Sequence, residues 1–260
     1  MKQFENFFYK MENFGYYVFD SVLSAQELIN IRKDLLNHQE YCKSIYSKNG
    51  ITEGMDGCAH HTIGKNDSID DFLYNFYLDD YIRAYFDSEY ILNTIGGINN
   101  IPHTNNAYEH GLKFHRDVRT YSGDFKFMLN MIVFIDDFTK KNGATKVVPG
   151  THKSEKKPSL EYLEQNSIQV VGKEGTIVLF NSNLWHSAAP NLTKKPRRAL
   201  TLNFSRAFIK QQMDYPRMLG ESFPKNEKMR QLLGYNSRIP CNHDEWYQPP
   251  SKRMYKPGQG

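Results

Sequence analysis

A histidine and an aspartate, His115 and Asp117, are separated by a single residue. In a β-strand, residues two apart point to the same side, so these two side chains could bind one cation together. An imidazole and a carboxylate suit a divalent transition metal. Alone, the pair is a weak signal, because the chain has 9 His and 29 acidic residues and the spacing recurs at His38–Glu40 and His243–Glu245.

A second histidine, His186, makes a metal site more specific. Residues 175–181 are typical of a buried strand, and His186 follows just beyond the turn that ends it. Two histidines and one carboxylate form a facial triad, which leaves three adjacent coordination positions open to other ligands. Zinc bound by the same three side chains with a water remains an alternative at this point.

An arginine downstream, Arg197, favours an open metal face. It lies eleven residues after His186 and begins the alternating segment 197–204, so a hairpin can bring it beside the strand that precedes His186. An inward guanidinium there could bind a distal carboxylate through two parallel hydrogen bonds. Strand alternation lets only one of two adjacent arginines face inward, and the spacing favours Arg197. The alternative, a solvated basic turn, fits Arg198 better.

The elements that must position these residues follow from hydrophobic periodicity and turn residues. Residues 15–20 are predicted as a first strand. A capping box at 24–27 begins a helix that is expected over about 24–37. Residues 44–65 are predicted as a loop, and 69–86 as two short helices.

From residue 90 onward the pattern changes to short apolar or alternating segments separated by Gly, Pro and Asn. Strands are predicted over 91–99, 111–117, 127–136, 144–148, 167–171, 176–181 and 197–207. Short strands with turn signals between them predict a β-sandwich or barrel-like jelly roll with helices packed outside it. A short helix is expected near 227–233, stopped by Gly234, and the remaining tail is irregular.

The composition fits one folded domain over 1–260, with a helical N-terminal part (about 1–90), a β-core (about 91–208) and a C-terminal extension (about 209–260). The net charge of +4 is mild, and the Lys and Arg residues are scattered, which argues against a nucleic-acid-binding face. The 3 Cys residues contain no CxxC pair, so no zinc knuckle or disulfide framework is expected. Without a signal-peptide pattern or a membrane span, we expect a cytoplasmic monomer or homodimer.

In their order along the chain, these motifs resemble the phytanoyl-CoA dioxygenase family of iron(II)- and 2-oxoglutarate-dependent oxygenases. The likeness covers most of the chain up to about residue 208, and the segments that carry it are 15–20, 115–117, 130–137, 142–153, Trp185-His186, Asn191 and 197–200. The resemblance implies a mainly β fold with flanking helices and a double-stranded β-helix (cupin-like jelly-roll) core. It also implies that the two histidines and the aspartate bind Fe(II), and that Arg197 binds the C5 carboxylate of 2-oxoglutarate.

Three further residues are candidate ligands of 2-oxoglutarate. Asn99 lies where relatives place a polar residue near the co-substrate, and Asn130 is a candidate on the inward side of its strand. A strand asparagine also commonly satisfies backbone groups. Relatives often carry a serine two residues after the distal histidine, where this chain has Ala188, with Ser187 one place earlier. Ile95 stands where relatives often have glutamine.

The activity implied by the resemblance consumes O2 and 2-oxoglutarate, releases succinate and CO2, and hydroxylates an aliphatic C–H bond of a small, polar or anionic metabolite. Asp117 favours hydroxylation, because related halogenases lack this carboxylate. Arg119, Tyr121 and Trp185 are candidate substrate contacts. For Arg119 the alternative is an exposed arginine that pairs with solvent.

Two other functions remain to be weighed against the oxygenase. One is a catalytically silent jelly-roll module that binds a ligand, which would require the loss of a triad member or of Arg197. The other is a zinc-dependent hydrolase that uses the same three ligands, and such an enzyme has no need of a buried carboxylate clamp at Arg197. His152, which lies in a polar turn, is attributed to turn chemistry rather than to metal binding.

Overall fold

Two antiparallel sheets form the centre of the protein, for which a computed structural model describes residues 2–51, 57–102 and 109–259. The larger sheet contains, in spatial order, β1 (Tyr16–Phe19), β7 (Ile177–Asn181), β4 (Met128–Phe134), β9 (Arg197–Arg206), β3 (Tyr90–Asn100) and β2 (Cys58–His60). The smaller sheet contains β6 (Ile168–Gln169), β5 (Lys146–Val147) and β8 (His186–Ser187). The predicted mainly β class with flanking helices is thereby confirmed.

Strand alternation gives β9 two different faces. Leu200, Leu202 and Phe204 point into the main hydrophobic core, and none of them is more than 1% exposed. Arg197 and Asn203, in the opposite phase, line a cavity. The same strand therefore contributes both to the core and to the wall of a possible site.

The helices pack around the sheets. Those before β3 are α1 (Lys2–Phe14), α2 (Ala25–Lys48), α3 (Ser68–Tyr74) and α4 (Asp79–Phe86). Those after it are α5 (Glu109–Leu112), α6 (Leu160–Asn166), α7 (Tyr215–Leu219), α8 (Glu227–Leu232) and α9 (His243–Trp246), with short 3-10 turns at Thr151–Lys153 and Pro250–Lys252. Phe7, Leu35 and Ile82 place α1, α2 and α4 in one core cluster with the larger sheet. Within the described ranges, no helix is long and apolar enough to span a bilayer.

Helix α2 extends well beyond its predicted end, so the prediction of a loop over 44–65 is wrong at 44–48. The capping box is present, with the Glu27 carboxylate accepting from Ser24 N at 2.8 Å. The next buried position after Leu35 is His38, which is 3% exposed, and its Nε2 lies 2.8 Å from Asp67 Oδ2. Because this core-facing residue is polar, the apolar pattern stops at Leu35 although the helix continues. The same loop prediction also missed β2.

The predicted strand over 111–117 is also wrong. Helix α5 occupies its beginning, and only one isolated bridge joins His115 to His186, with backbone N–O distances of 2.9 and 3.0 Å. The partner strand β8 has only two residues, so no longer ladder forms there. By contrast, β3, β4, β7 and β9 begin and end within two residues of their predicted bounds.

Candidate metal centre

Three side chains converge on one wall of the cavity. The Nε2 atoms of His115 and His186 lie 3.5 and 3.7 Å from Oδ1 of Asp117. All three ligand atoms lie within 4.8 Å of one another. This spacing allows one cation to contact all three side chains after small rotations. The predicted triad therefore comes together in space although its first two members do not lie in a regular strand.

Backbone carbonyls fix the orientation of both imidazoles. The Nδ1 atom of His115 lies 2.8 Å from the Lys113 oxygen, and that of His186 lies 3.0 Å from the Leu184 oxygen. A carbonyl oxygen can only accept, so each Nδ1 carries the proton and donates. In the neutral ring each Nε2 then keeps a lone pair, which is the tautomer that a metal ligand requires.

The electrostatics of the centre suit a cation. Burial lowers the pKa of the His186 imidazole, so its ring is neutral at neutral pH. Burial alone would raise the pKa of the Asp117 carboxyl, but His186, His115 and Asn203 together hold it below its usual value. Burial opposes a charge on His115, but the hydrogen bonds with Asp117 and the Lys113 carbonyl, together with the Asp117 charge, outweigh it and raise the pKa of that imidazole. A metal would take the place of the proton shared there.

Arg116, between the two ligands, anchors their segment from the opposite side. Its side chain is 5% exposed and donates to the carbonyls of Thr151 and Ser154. Its guanidinium also lies 5.2 Å from the Trp185 ring. The sequence reasoning missed this role, although alternation places residue 116 opposite the ligands.

Arg197 lies on the cavity side of β9 and Arg198 does not. Arg197 is 4% exposed, and its guanidinium carbon stacks 3.9 Å from the centroid of the Phe138 ring. Arg198 forms a two-pronged ion pair with Asp136, at 2.8 and 3.1 Å. Arg197 therefore faces the cavity and Arg198 faces away from it, as the sequence predicted.

The cavity has a volume of about 500 Å³. The residues that line it, besides the triad and Arg197, are uncharged: Ile98, Gly111, Val118, Met128, Asn130, Met131, Ile132, Thr145, Phe180, Ala188, Ala199, Thr201, Leu202, Asn203 and Gln212. Arg197 is thus the one permanent cation among the lining residues in the part of the chain that the structure describes. A larger groove of about 810 Å³ lies in the C-terminal tail around Trp246 and contains none of the predicted site residues.

Of the three further co-substrate candidates, Asn99, Asn130 and Ser187, only Asn130 is among the lining residues that the structure describes. The structure does not bring Asn99 there: it shares a strand face with Arg198, and its Nδ2 donates to Gln39 Oε1 at 2.8 Å. Ser187 is 1% exposed and does not line the cavity, because alternation after His186 turns it away.

The three predicted substrate contacts are likewise absent from the described cavity wall. Trp185 packs with Val148 and Leu163 on the side opposite His186. The Tyr121 hydroxyl donates to the Lys153 carbonyl at 2.9 Å, and Arg119 is exposed. All three expectations rested on closeness in sequence to a ligand, whereas alternation and an irregular turn direct the side chains elsewhere.

Asn203 is a cavity residue that sequence reasoning missed. Its Nδ2 donates to Oδ1 of Asn130 on the neighbouring strand, and its side chain helps to lower the pKa of the Asp117 carboxyl. The sequence could have revealed it, because residue 203 lies an even number of positions after Arg197 and so faces the same side of an alternating strand.

Comparison with known proteins gives a family match over most of the chain. The model of the family described as phytanoyl-CoA dioxygenase (PhyH) matches residues 11–199. The uncharacterized protein Rv1501 of Mycobacterium tuberculosis is 43% identical over 149 residues, which cover 56% of this chain and 55% of that protein. The match therefore spans about half the length of this relative.

Two solved structures share the fold. EctD from S. alaskensis in its apoform has a TM-score of 0.63 at 22% identity, and the match covers 79% of this chain and 76% of EctD. SnoN, a non-heme alpha-ketoglutarate-dependent epimerase from nogalamycin biosynthesis, has a TM-score of 0.60 at 15% identity, with 79% and 82% covered. EctD has also been crystallised with bound Fe, and with 2-oxoglutarate and 5-hydroxyectoine. At these identities the likeness shows the fold alone, and it confirms the predicted jelly-roll core.

Proposed function

Since the chain belongs to the phytanoyl-CoA dioxygenase family, we propose that it is an iron(II)- and 2-oxoglutarate-dependent oxygenase that hydroxylates an aliphatic C–H bond of a small molecule. The observation that carries the proposal is the shared cavity, which the metal-ligand triad and a buried arginine line together. Succinate and CO2 would be the products formed from the co-substrate.

The donor set fits iron(II). Two imidazole Nε2 atoms and one carboxylate oxygen lie together on the cavity wall, which leaves the side toward the cavity for other ligands. Structures of EctD with bound Fe and with 2-oxoglutarate show that a protein of this fold holds both groups. We therefore assign His115, Asp117 and His186 as the metal ligands of this chain.

When bound, iron and 2-oxoglutarate supply the oxidising chemistry that activates O2. The task of Arg197 is to bind the distal carboxylate of the co-substrate. Its burial against Phe138 lowers the local dielectric, which strengthens a charge-assisted hydrogen bond. Apolar neighbours such as Ile132 and Ala199 exclude water from the same wall.

The composition of the wall supports an uncharged, polar substrate more than an anionic one. Among the lining residues that the structure describes, the single permanent cation is Arg197, which is already assigned to the co-substrate. Asn130, Thr145 and Gln212 offer hydrogen bonds without charge, and Met128 and Val118 offer apolar contact. This wall would bind hydroxyl, ether or carbonyl oxygens.

An anaerobic titration of the iron(II)-loaded protein with 2-oxoglutarate tests the proposal. A weak visible absorption band is expected, because the co-substrate would chelate the metal. The band should be lost in His186→Ala and retained in Arg198→Ala, which alters the opposite face of β9. If iron binds and no band forms in the unaltered protein, the oxygenase proposal is wrong.

The reaction outcome is tested separately, by a screen of uncharged oxygenated compounds for stimulated succinate release. Hydroxylation predicts a product heavier than the substrate by one oxygen atom. A product of unchanged mass would indicate epimerisation, the activity described for SnoN. The silent binding module is not favoured, because the full triad and Arg197 are in place. The zinc hydrolase is not favoured, because it has no need of the buried Arg197.

A further inference from the structure

The carboxylate of Asp117 needs support that its own backbone does not give. Residues 116–122 contain no regular strand, and the Asp117 side chain is 32% exposed. Its Oδ1 nevertheless lies near both imidazole Nε2 atoms. A donor outside this segment would therefore help to hold the carboxylate in one rotamer.

Asn203 is in the right place to do so. It belongs to β9, which pairs with strands on both sides in the larger sheet and is thus a rigid support. Its side chain lines the same cavity as Asp117 and lowers the pKa of that carboxyl, and it donates to Asn130 Oδ1 directly across the strand pair. Asn130 is 2% exposed, so the far end of this arrangement is fixed by packing.

The chemistry of the three groups determines the direction of these hydrogen bonds. An ionised carboxylate can only accept, so an Asn203 amide that supports Asp117 has to turn its Nδ2 toward it. That nitrogen carries two hydrogens, and the second is donated to Asn130 Oδ1. The order Asn130–Asn203–Asp117 thus has one orientation, with the donors pointing toward the metal ligand.

We propose that Asn203 is a positioning residue that holds the Asp117 carboxylate as a metal ligand, with Asn130 as the anchor that fixes Asn203. The inference rests on the proposed metal site and extends it to two residues that do not contact the metal. A donor that orients a ligating carboxylate stabilises the metal complex, and the loss of such a partner typically costs about 10- to 100-fold in metal affinity.

The test is anaerobic titration of the full chain with Co(II) alone, followed by its visible spectrum and by competition with a chelating dye. Asn203→Leu keeps the approximate volume and removes both donors. We expect its Co(II) affinity to fall roughly 10- to 100-fold, and the Co(II) bands to change as the carboxylate reorients. Asn93→Leu is the matched control, because Asn93 is a buried amide of the same sheet that donates to Ser205 and Lys210. This control should lose stability and keep both the wild-type affinity and the wild-type bands.

A second variant tests the anchor and guards against misfolding of the first. Asn130→Leu should weaken Co(II) binding less than Asn203→Leu, and the double variant should be no weaker than Asn203→Leu alone, because both changes break one arrangement. Wild-type affinity and an unchanged Co(II) spectrum in both single variants would overturn the proposal. If the unaltered chain binds Co(II) but gives no 2-oxoglutarate band with iron, the oxygenase proposal fails while the role of Asn203 stands. If the unaltered chain binds no Co(II), both are wrong.

Discussion

At the scale of single residues, the two adjacent arginines of β9 have different partners. Arg197 is buried against Phe138 on the cavity wall, and Arg198 is half-buried and pairs with Asp136. Asp136 also accepts from Arg32 at 3.1 Å, so it keeps a cationic partner if Arg198 is removed. The same substitution at the two positions should therefore have different effects.

We predict that Arg197→Ala weakens the apparent affinity for 2-oxoglutarate about 10- to 150-fold, because a charged hydrogen bond contributes about 1.5–3 kcal/mol. Arg198→Ala should leave that affinity within about twofold and lower the free energy of unfolding by about 1 kcal/mol or less, since its partner is also bound by Arg32. Titration of both iron-loaded variants with 2-oxoglutarate measures the difference. Equal losses would show that Arg197 does not bind the co-substrate.

His152 predicts a pH dependence of stability. Burial lowers the pKa of its imidazole to about 4, although Nε2 donates to the Glu12 carbonyl at 3.2 Å. The unfolded chain binds this proton near pH 6.5 and the folded chain only near pH 4, so the free energy of unfolding falls as the pH is lowered through this window. The total change is about 3 kcal/mol, with no effect above pH 6.5.

Urea unfolding of the wild type and His152→Gln between pH 7.5 and 4 measures this contribution. As the pH falls, the free energy of unfolding of the wild type should decrease by about 3 kcal/mol more than that of His152→Gln. If the difference between the two proteins does not change with pH, the pKa of His152 is the same in the folded and the unfolded protein.

At the scale of elements, sequence patterns were reliable where one strand or helix buries a regular face. β9 was predicted together with the phase of Arg197, because apolar and polar residues alternate over ten positions. β5 and β6 were predicted as the longer segments 144–148 and 167–171 and β8 was not predicted, because a strand of two residues is too short for a periodic signal. Asn203 was missed because a polar residue in a strand does not by itself reveal which neighbour it contacts.

The contact between α2 and β3 offers a test of packing at this scale. A Cβ atom at Gly97 would lie 1.9 Å from Cδ1 of Leu35, which is completely buried. Gly97→Ala should therefore lower the free energy of unfolding by about 1–3 kcal/mol through overpacking. Leu35→Val in the same chain shortens the opposing side chain and should recover part of this loss, which equilibrium denaturation would detect. Additive losses in the double variant would argue against a direct clash.

At the scale of the whole molecule, one core cluster joins elements that lie far apart in the chain. Phe7 from α1 and Tyr215, Leu232 and Tyr235 from the C-terminal extension pack in the same cluster as the larger sheet. These residues lie outside the segment 11–199 that the family model matches. The sequence predicted a C-terminal extension over 209–260 but could not show its packing, because contacts between distant segments leave no local pattern.

This arrangement predicts that the two parts of the C-terminal extension differ in importance. Deletion of 209–260 removes Tyr215, Leu232, Leu233 and Tyr235, none more than 3% exposed. At about 1.5–3 kcal/mol for each buried side chain, the loss is comparable to the whole stability of a domain, about 5–15 kcal/mol, so no folded protein is expected. Deletion of 239–260 removes α9, which has no buried residue, and the hydrogen bonds between Gln231 and Gln259, so a loss of only about 1–3 kcal/mol is expected. Thermal unfolding and Co(II) binding of both truncated chains measure the difference. A chain that lacks 209–260 and still folds and binds metal would show that this segment is not an integral part of the same domain.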